Sequence, residues 1–392
     1  MDKPNDILIP AETSWLIDPA AQAVCAAISA GSHDVYFVGG CVRNALLGEP
    51  DSDVDMSTNA VPETVMESAR DAGLRAIPTG IDHGTVTVLS GGQAFEVTTF
   101  RRDIATDGRR AVVAFSNQIS DDARRRDFTM NALYATPNGT VVDPLGGLGD
   151  LLARRVRFIE DPAARIREDY LRILRFFRFS AQLAPHDQGY DPDTLTAIAM
   201  NSAGLETLSA ERIGQEMSKL LMAVDPAPAI AVMRQIGVLA IVLPGSDDQW
   251  LGPLVHLEDV CRIDKDWRTR LAILGGDDAI NRFRLSKADA RRVSLLRDIG
   301  FSGPSLREIG YRHGQEFALQ VLLLRQAMAG QPIESHQIET ISTASQSLFP
   351  VSAKDLMPTY QGPALGLRLA ALEQHWIKSD FTLTRDDLLN TP

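Results

Sequence analysis

The chain has 392 residues, 44% of them hydrophobic, and a formal net charge of −12 at pH 7. Its length predicts two to four domains. No membrane span is expected because no apolar run reaches about 18 residues. No secretory signal is expected because no segment that is first cationic and then apolar opens the chain. Cys25, Cys41 and Cys261 are few, odd in number and unclustered, which argues against zinc and favours a reducing cytoplasm.

The first informative element is a short apolar run at 35–38, Val-Tyr-Phe-Val, which stops at Gly39 and Gly40. This pattern predicts a buried strand that ends in a tight turn, and residues 42–47 then predict a helix. Backbone N–H groups at such a turn bind phosphate readily, and Arg43 adds a positive charge. Taken alone, a glycine pair before a helix is more often ordinary turn chemistry.

Asp53 and Asp55 follow in a segment that alternates like a strand, so both carboxylates are expected on one face, with Val54 and Met56 on the other. Two carboxylates this close repel each other, and a divalent cation relieves the repulsion. Mg²⁺ prefers such oxygen ligands together with substrate phosphates. The alternative is a solvated acidic turn.

Two further alternating segments, 83–89 and 94–100, are separated by Ser-Gly-Gly-Gln at 90–93. This spacing predicts a β-hairpin. Glu96 would then lie in a sheet beside the aspartate pair and supply a third, catalytic carboxylate. It could equally be a surface residue of the strand.

A polar stretch at 101–111 is predicted to be a loop between two strands. Arg-Arg-Asp-Phe-Thr-Met-Asn-Ala follows at 125–132. Within this motif, Arg126, Asp127 and Asn131 form a cluster that can grip a sugar and a triphosphate.

Residues 161–183 have helical patterning, with Pro162 suited to the first turn and Asp161 to the N-cap. Asp169 and Arg172 are i, i+3 neighbours on one face of this predicted helix. The carboxylate can accept from an exocyclic amine while the guanidinium donates to the adjacent ring nitrogen, an edge shared by cytosine and adenine. The alternative is a helix laced by salt bridges, since the run carries further charged residues: Glu168, Arg175 and Arg178.

The positive charge of the chain is concentrated at 95–180, where 15 Arg and 12 Asp or Glu give +3, against −15 for the remainder. Arginine suits bidentate recognition of phosphate. The overall charge of −12 is unfavourable for an RNA-binding protein. If the chain binds RNA, this segment is the expected contact, and binding should weaken as the salt concentration rises.

Strands and helices alternate up to about residue 145, and nearly everything beyond is helical, so we predict an α+β fold. Turn sequences at 143–147 and 243–246 mark two boundaries. The expected segments are a loose N-terminus at 1–15, a catalytic head at 16–150, a helical neck for base selection and RNA binding at 151–245, and a helical body and tail at 246–392.

Together these motifs resemble the class II tRNA nucleotidyltransferase and poly(A) polymerase family. The resemblance covers 35 to about 245 and rests on ordered motifs at 39–43, 53–55, 83–86, 95–101, 125–132, 168–172 and 208–213. It implies a polymerase-β-like mixed-sheet head followed by an all-α neck, body and tail. It also implies addition of CCA to the 3′ end of tRNA from CTP and ATP, without a template, by a monomer or a homodimer.

The resemblance also assigns roles to individual residues. It implies that Asp53 and Asp55 bind Mg²⁺ and that Asp127 and Asn131 recognise the ribose. The other residues expected to bind the nucleotide are Gly39, Gly40, Arg43, Arg126, Asp169, Arg172, Arg175 and Arg178.

This sequence departs from the family pattern at two positions. Asn44 stands where members usually carry Asp, and Tyr170 where they often carry Pro. The loop at 101–111 and the motif at 83–86 resemble those of complete CCA-adding members. Poly(A) polymerase, a partial CC-adding or A-adding enzyme, and a non-catalytic RNA-binding relative are the alternatives.

Overall fold

The structure of the chain is a computed structural model that describes residues 7–50, 52–107, 110–183, 189–301 and 303–390, with the backbone alone at 103–107 and 110–113. By internal contacts the chain divides into two compact units. The first unit comprises Met1–Ser209 and Gln235–Ile241, and the second comprises Ala210–Arg234 and Val242–Pro392. The functional boundaries predicted at 150 and 245 stay predictions, and residues 151–209 fold with the head.

The first unit contains a seven-stranded mixed sheet and a two-stranded sheet. The strands are β1 Val35–Val38, β2 Asp55–Thr58, β3 Arg75–Gly80, β4 Thr85–Ser90, β5 Gln93–Thr99, β6 Arg101–Asp107, β7 Arg110–Phe115, β8 Tyr134–Ala135 and β9 Val141–Val142. The larger sheet has the order β3-β4-β5-β2-β1-β8-β9, and β6 pairs with β7 in the smaller one. Only β2 and β5 pair in parallel among the described strands of the larger sheet. The predicted mixed-sheet head is confirmed.

The register of the sheet brings two acidic positions together. The predicted hairpin is confirmed as β4 and β5, which turn at Gly91 and Gly92, both with positive φ. The parallel pairing of β2 with β5 sets Asp55 directly opposite Glu96. Because this pairing joins strands far apart in sequence, only the tertiary fold fixes it.

Nine α-helices of the described chain precede residue 210. They are α1 Ser14–Ile17, α2 Pro19–Ala30, α3 Gly40–Leu47, α4 Pro62–Asp71, α5 Ile119–Arg124, α6 Leu148–Leu152, α7 Pro162–Glu168, α8 Leu171–Leu183 and α9 Pro192–Asn201. Helices α2 and α4 pack against the sheet. A cluster of buried side chains that includes Val38, Phe100 and Tyr134 joins the sheet to the segments that follow β7.

The remaining helices are α10 Ala210–Leu221, α11 Ala227–Gln235, α12 Val238–Val242, α13 Leu251–Cys261, α14 Trp267–Leu274, α15 Ala279–Arg282, α16 Lys287–Gly300, α17 Leu306–His313, α18 Gln315–Ala329, α19 Ser335–Gln346, α20 Ala353–Leu356, α21 Gly362–Lys378 and α22 Arg385–Leu389. Near the C-terminus, Trp376 lies at the centre of a separate apolar cluster. Among the described residues no helix is long and apolar enough to cross a membrane.

Three sequence predictions need correction. Residues 7–15, expected to be loose, are held by a bridge between Leu8 and Thr140 and by Trp15, which packs on Phe37; residues 1–6 lie outside the described chain. The predicted polar loop at 101–111 is mostly the paired strands β6 and β7, with 108–109 outside the description.

The third correction concerns the predicted single helix at 161–183, which is two helices. Asp161 caps α7 as expected, accepting from the Ala164 N–H. Asp169 then adopts an extended backbone, and its side chain accepts from the Leu171 N–H at the start of α8. A short acidic side chain that bonds the backbone two residues on competes with a continuous helix.

A buried ion pair ties three helices of the second unit together. Arg270 in α14 pairs with Glu258 in α13 at 2.6 Å, and both side chains are almost fully buried. The same guanidinium donates to the carbonyls of Leu221 and Ala223 at the end of α10. The arginine thereby satisfies helix-end carbonyls that have no partner within their own helix.

Arg270→Ala is expected to lower the free energy of unfolding by about 3–5 kcal/mol, because it leaves Glu258 buried without its charge partner. Chemical denaturation measures this. Arg284→Ala is the control, since Arg284 pairs with Glu211 at the surface and its loss should cost less than about 1 kcal/mol. Equal losses in the two variants would contradict the role given to Arg270.

Candidate active site

The turn between β1 and α3 is confirmed and requires glycine. Gly39 has φ 76° and ψ −119°, a conformation that side chains disfavour. A Cβ on Gly39 would lie 3.3 Å from Arg126 Nη1, and a Cβ on Gly40 would lie 2.8 Å from Ser52 Oγ. The first N–H groups of α3 have no partner within the helix, so this end of α3 can receive a phosphate.

Three carboxylates gather at the start of β2. Asp53 and Asp55 are exposed, as is Glu96 on the neighbouring strand. The pKa of Asp55 is raised to about 6 by desolvation, by Glu96 and by Asp53, with Arg126 opposing the rise. Although Asp55 has accessible surface, the surrounding protein still crowds its carboxyl. Such mutual repulsion favours a bound cation.

These carboxylates fit a Mg²⁺ ion that is held partly by water and substrate, rather than an ion enclosed by protein ligands alone. Among the described residues, no group of three or more His, Cys, Asp or Glu is arranged to hold a metal ion. Asp53 and Asp55 alone would leave most coordination positions to other oxygens. Mg²⁺ is commonly held in this way, by one or two carboxylates together with water and substrate phosphates.

Arg126 lies between the glycine turn and the carboxylates. Its Nε donates to Tyr134 Oη at 3.2 Å, and its Nη2 donates to Asp122 at 3.1 Å. Burial acts to lower the pKa of Arg126, but Tyr134 and Asp122 outweigh it and the pKa is raised. The sequence did not single out Asp122 or Tyr134; the only signal was the i, i+4 spacing of Asp122 and Arg126.

Asp127 is the most heavily engaged carboxylate in this region. It is buried and accepts from the Phe128 N–H, from Asn131 Nδ2 at 2.9 Å and from Arg175 Nε at 2.7 Å. Burial acts to raise the pKa of Asp127, but Arg175 and these hydrogen bonds lower it below its ordinary value. The contacts favour a positioning role, and the ribose contact predicted for Asp127 stays a prediction.

Asn131 continues the same network to α3. Its Oδ1 accepts from Arg43 Nη1 at 2.6 Å, while its amide donates to Asp127. A chain of contacts therefore runs from Arg43 through Asn131 and Asp127 to Arg175 in α8. The structure thus brings together four of the residues predicted to bind the nucleotide.

The ring of Phe179 is in contact with three guanidinium groups, those of Arg43, Arg175 and Arg178. The sequence did not single out Phe179. Burial, Arg178 and Arg175 lower the pKa of Arg43 to about 10, while Asp127 opposes the shift. Several cations in a half-buried space create a strong positive potential. The cluster suits the phosphates of a nucleotide.

Arg172 forms an i, i+4 ion pair with Glu168, a contact of the kind that the salt-bridge alternative predicted. Its Nη1 donates to Glu168 at 2.5 Å and its Nη2 to the Arg125 carbonyl at 2.9 Å. Asp169 lies before α8, so Asp169 and Arg172 are not two residues of one helix face as expected. Pairing of Asp169 and Arg172 with a base stays a prediction.

The two departures from the family pattern have structural explanations. The Asn44 Oδ1 accepts from Arg43 at 2.8 Å, and its amide donates to the Pro50 carbonyl at 2.8 Å, so the acceptor for Arg43 is retained without a charge. The Tyr170 ring lies against Gly204, where a Cβ would come within 2.1 Å of the ring.

Comparison with known families matches two segments of the chain. Residues 35–157 match a family described as Poly A polymerase head domain. Residues 190–249 match one described as Probable RNA and SrmB- binding site of polymerase A.

Whole-chain relatives extend this assignment. The mitochondrial CCA tRNA nucleotidyltransferase 1 of Mus musculus is 33% identical over 387 residues, 92% of this chain and 86% of the relative. The chain belongs to the class II tRNA nucleotidyltransferase and poly(A) polymerase family. Another member, the CCA-adding enzyme of Streptococcus suis, is 33% identical over 370 residues, 88% of this chain and 89% of the relative.

Solved structures of family members share the fold. The Bacillus stearothermophilus CCA-adding enzyme in complex with CTP aligns with a TM-score of 0.73 at 30% identity, over 93% of this chain and 94% of that one. The Thermotoga maritima CCA-adding enzyme complexed with tRNA aligns with a TM-score of 0.67 at 18% identity, over 98% of both chains, which supports the fold alone.

Gly39→Ala is expected to lower the free energy of unfolding by about 1–3 kcal/mol because of its backbone conformation, and to weaken nucleotide binding by displacing Arg126. Denaturation and calorimetric titration with CTP measure the two effects. Gly48→Ala is the control for the binding measurement. Gly48 also has positive φ, but nothing lies within 4 Å of an added Cβ, so CTP affinity should stay at the wild-type value. Full CTP affinity in Gly39→Ala would contradict the role of the turn.

Proposed function

We propose that this chain adds cytidine, cytidine and adenosine to the 3′ end of tRNA, using CTP and ATP without a nucleic-acid template. One observation carries the proposal: the crowded carboxylates, the phosphate-binding turn and the arginine cluster all belong to one folded unit. Relatives matched over 86% and 89% of their lengths bear the names CCA tRNA nucleotidyltransferase and CCA-adding enzyme.

The reaction we propose is attack of the terminal ribose 3′-hydroxyl on the α-phosphate of the bound nucleotide, with loss of pyrophosphate. Asp53 and Asp55 would hold Mg²⁺, and Glu96 would act as a third catalytic carboxylate. When bound there, the ion would make the 3′-hydroxyl a better nucleophile and would neutralise charge on the leaving pyrophosphate. Arg126 supplies a fixed cation beside these carboxylates.

The triphosphate is proposed to lie between the glycine turn and the arginine cluster. Gly39 and Gly40 present backbone N–H groups, and Arg43, Arg175 and Arg178 supply the positive charge. Donors that are already fixed before the substrate arrives need little reorganisation during the reaction. The network through Asn131 and Asp127 supports this preorganisation.

Base selection is assigned to Asp169 and Arg172. The guanidinium of Arg172 is fixed by Glu168 and the Arg125 carbonyl and is only 13% exposed. A rigid, largely buried donor discriminates strongly, because the wrong base leaves buried polar groups unpaired. Cytosine and adenine offer the matching edge, whereas uracil and guanine offer the reverse pattern.

The RNA partner is assigned to two parts of the chain. The positively charged segment 95–180 is proposed to meet the 3′ end, and the helices of 246–392 to contact the remainder of the tRNA. The match at 190–249 to an RNA-binding family supports an RNA partner. We propose a cytoplasmic location. The three free cysteines are consistent with the reducing environment of that compartment.

A nucleotide-incorporation assay tests the activity. With tRNA that lacks its 3′ end, CTP alone should add two residues, and CTP with ATP should add three. Long adenosine tails without a requirement for CTP would identify a poly(A) polymerase instead. Two additions with both nucleotides present would identify a CC-adding enzyme.

Asp53→Ala is expected to reduce incorporation by about 10³-fold or more, because metal-assisted transfer contributes several kcal/mol, while tRNA affinity stays nearly intact. Quenched incorporation and filter binding measure the two quantities. Asp71→Ala, an exposed aspartate at the end of α4, is the control and should retain wild-type turnover. Unchanged turnover in Asp53→Ala would exclude the metal assignment.

A further inference from the structure

Three guanidinium groups lie around one aromatic ring in the first unit. The Cζ atoms of Arg43, Arg175 and Arg178 are 4.9, 5.4 and 3.9 Å from the centroid of the Phe179 ring. Phe179 itself is 3% exposed. Arg43 comes from α3, whereas the other two arginines share α8 with Phe179. The ring is therefore the common contact of cations that reach it from two separate helices.

This arrangement needs a compensating interaction, because the three cations repel one another. The lowered pKa of Arg43, to which burial, Arg178 and Arg175 contribute, is a sign of that repulsion. Asp127 offsets part of it by pairing with Arg175. The negative face of an aromatic ring attracts guanidinium groups within about 6 Å of its centroid, so Phe179 offsets a further part.

The ring also has packing contacts, as a core residue would. It forms a T-shaped contact with the ring of Phe128, at a centroid distance of 5.6 Å. Phe177, two residues earlier on α8, is fully buried and packs on Phe176 and Tyr190. Phe177 therefore offers a matched comparison: the same helix and residue type, with contacts to aromatic rings in place of the arginine cluster.

We infer that Phe179 is a positioning residue whose ring holds Arg43, Arg175 and Arg178 in the arrangement that receives the triphosphate of CTP and ATP. The inference rests on the proposed function for the identity of the ligand. It predicts that the ring acts on phosphate binding, independently of the base. Effects on CTP and ATP should therefore be equal.

The first test compares Phe179→Leu with Phe177→Leu in the full-length protein. Phe179→Leu should weaken binding of inorganic tripolyphosphate, measured by calorimetry, by about tenfold, the loss expected for two or three cation–π contacts. The KM values for CTP and ATP should rise by the same factor with kcat within about threefold of wild type. Phe177→Leu should leave tripolyphosphate affinity within about twofold.

The second test separates ring electrostatics from packing. Phenylalanine fluorinated at one, two or three ring positions is incorporated at position 179, which weakens the negative face while nearly preserving shape. Tripolyphosphate affinity should fall stepwise with each fluorine, while the melting temperature stays close to that of wild type. Affinity independent of fluorination would overturn the inference.

The two proposals fail in different ways. If the wild-type chain incorporates no cytidine or adenosine into tRNA, the proposed function fails, whereas tripolyphosphate binding still reports on Phe179. If incorporation proceeds but Phe179→Leu and Phe177→Leu bind tripolyphosphate equally, only the role of Phe179 fails. Unequal KM changes for CTP and ATP would also contradict it.

Discussion

The buried carboxylate of Asp127 is the contact on which the site depends. It pairs with Arg175 in α8 at 2.5 Å and accepts from Asn131, which in turn accepts from Arg43 in α3. One ionised group therefore fixes the segment after α5 to helices that come from distant parts of the chain. A buried charge is tolerated only when it is paired and hydrogen-bonded, and both conditions hold here.

The site contains two crowded clusters of opposite charge, and each is unfavourable by itself. The raised pKa of Asp55 reflects desolvation and neighbouring carboxylates, and the lowered pKa of Arg43 reflects burial and neighbouring arginines. A cation relieves the first and a polyphosphate relieves the second. Strongly perturbed pKa values of this kind cluster at functional sites. A magnesium–nucleotide complex would carry both charges at once, which is why the proposed substrate suits this chain.

The break between α7 and α8 positions much of this machinery. Asp169 ends the first helix and bonds the start of the second. Arg165 and Arg172 then donate to the carbonyls of Arg124 and Arg125 at the end of α5. A continuous helix over 161–183 would satisfy the periodicity but would not direct these arginines to helix-end carbonyls. The local bond from the Leu171 N–H to Asp169 makes the break, and the tertiary contacts of Arg165 and Arg172 use it.

Sequence alone determined the local features of this protein. The strand, turn and helix at 35–47 follow from an apolar run and two glycines, because local chemistry leaves few alternatives. The hairpin of β4 and β5 follows from alternation around Gly91 and Gly92. The pairing of Asp55 with Glu96 needed the parallel contact of strands about forty residues apart in the sequence. The roles of Asp122, Tyr134 and Phe179 were likewise decided by tertiary structure. The sequence does not show which cation an aromatic or acidic residue faces, or how deeply that residue is buried.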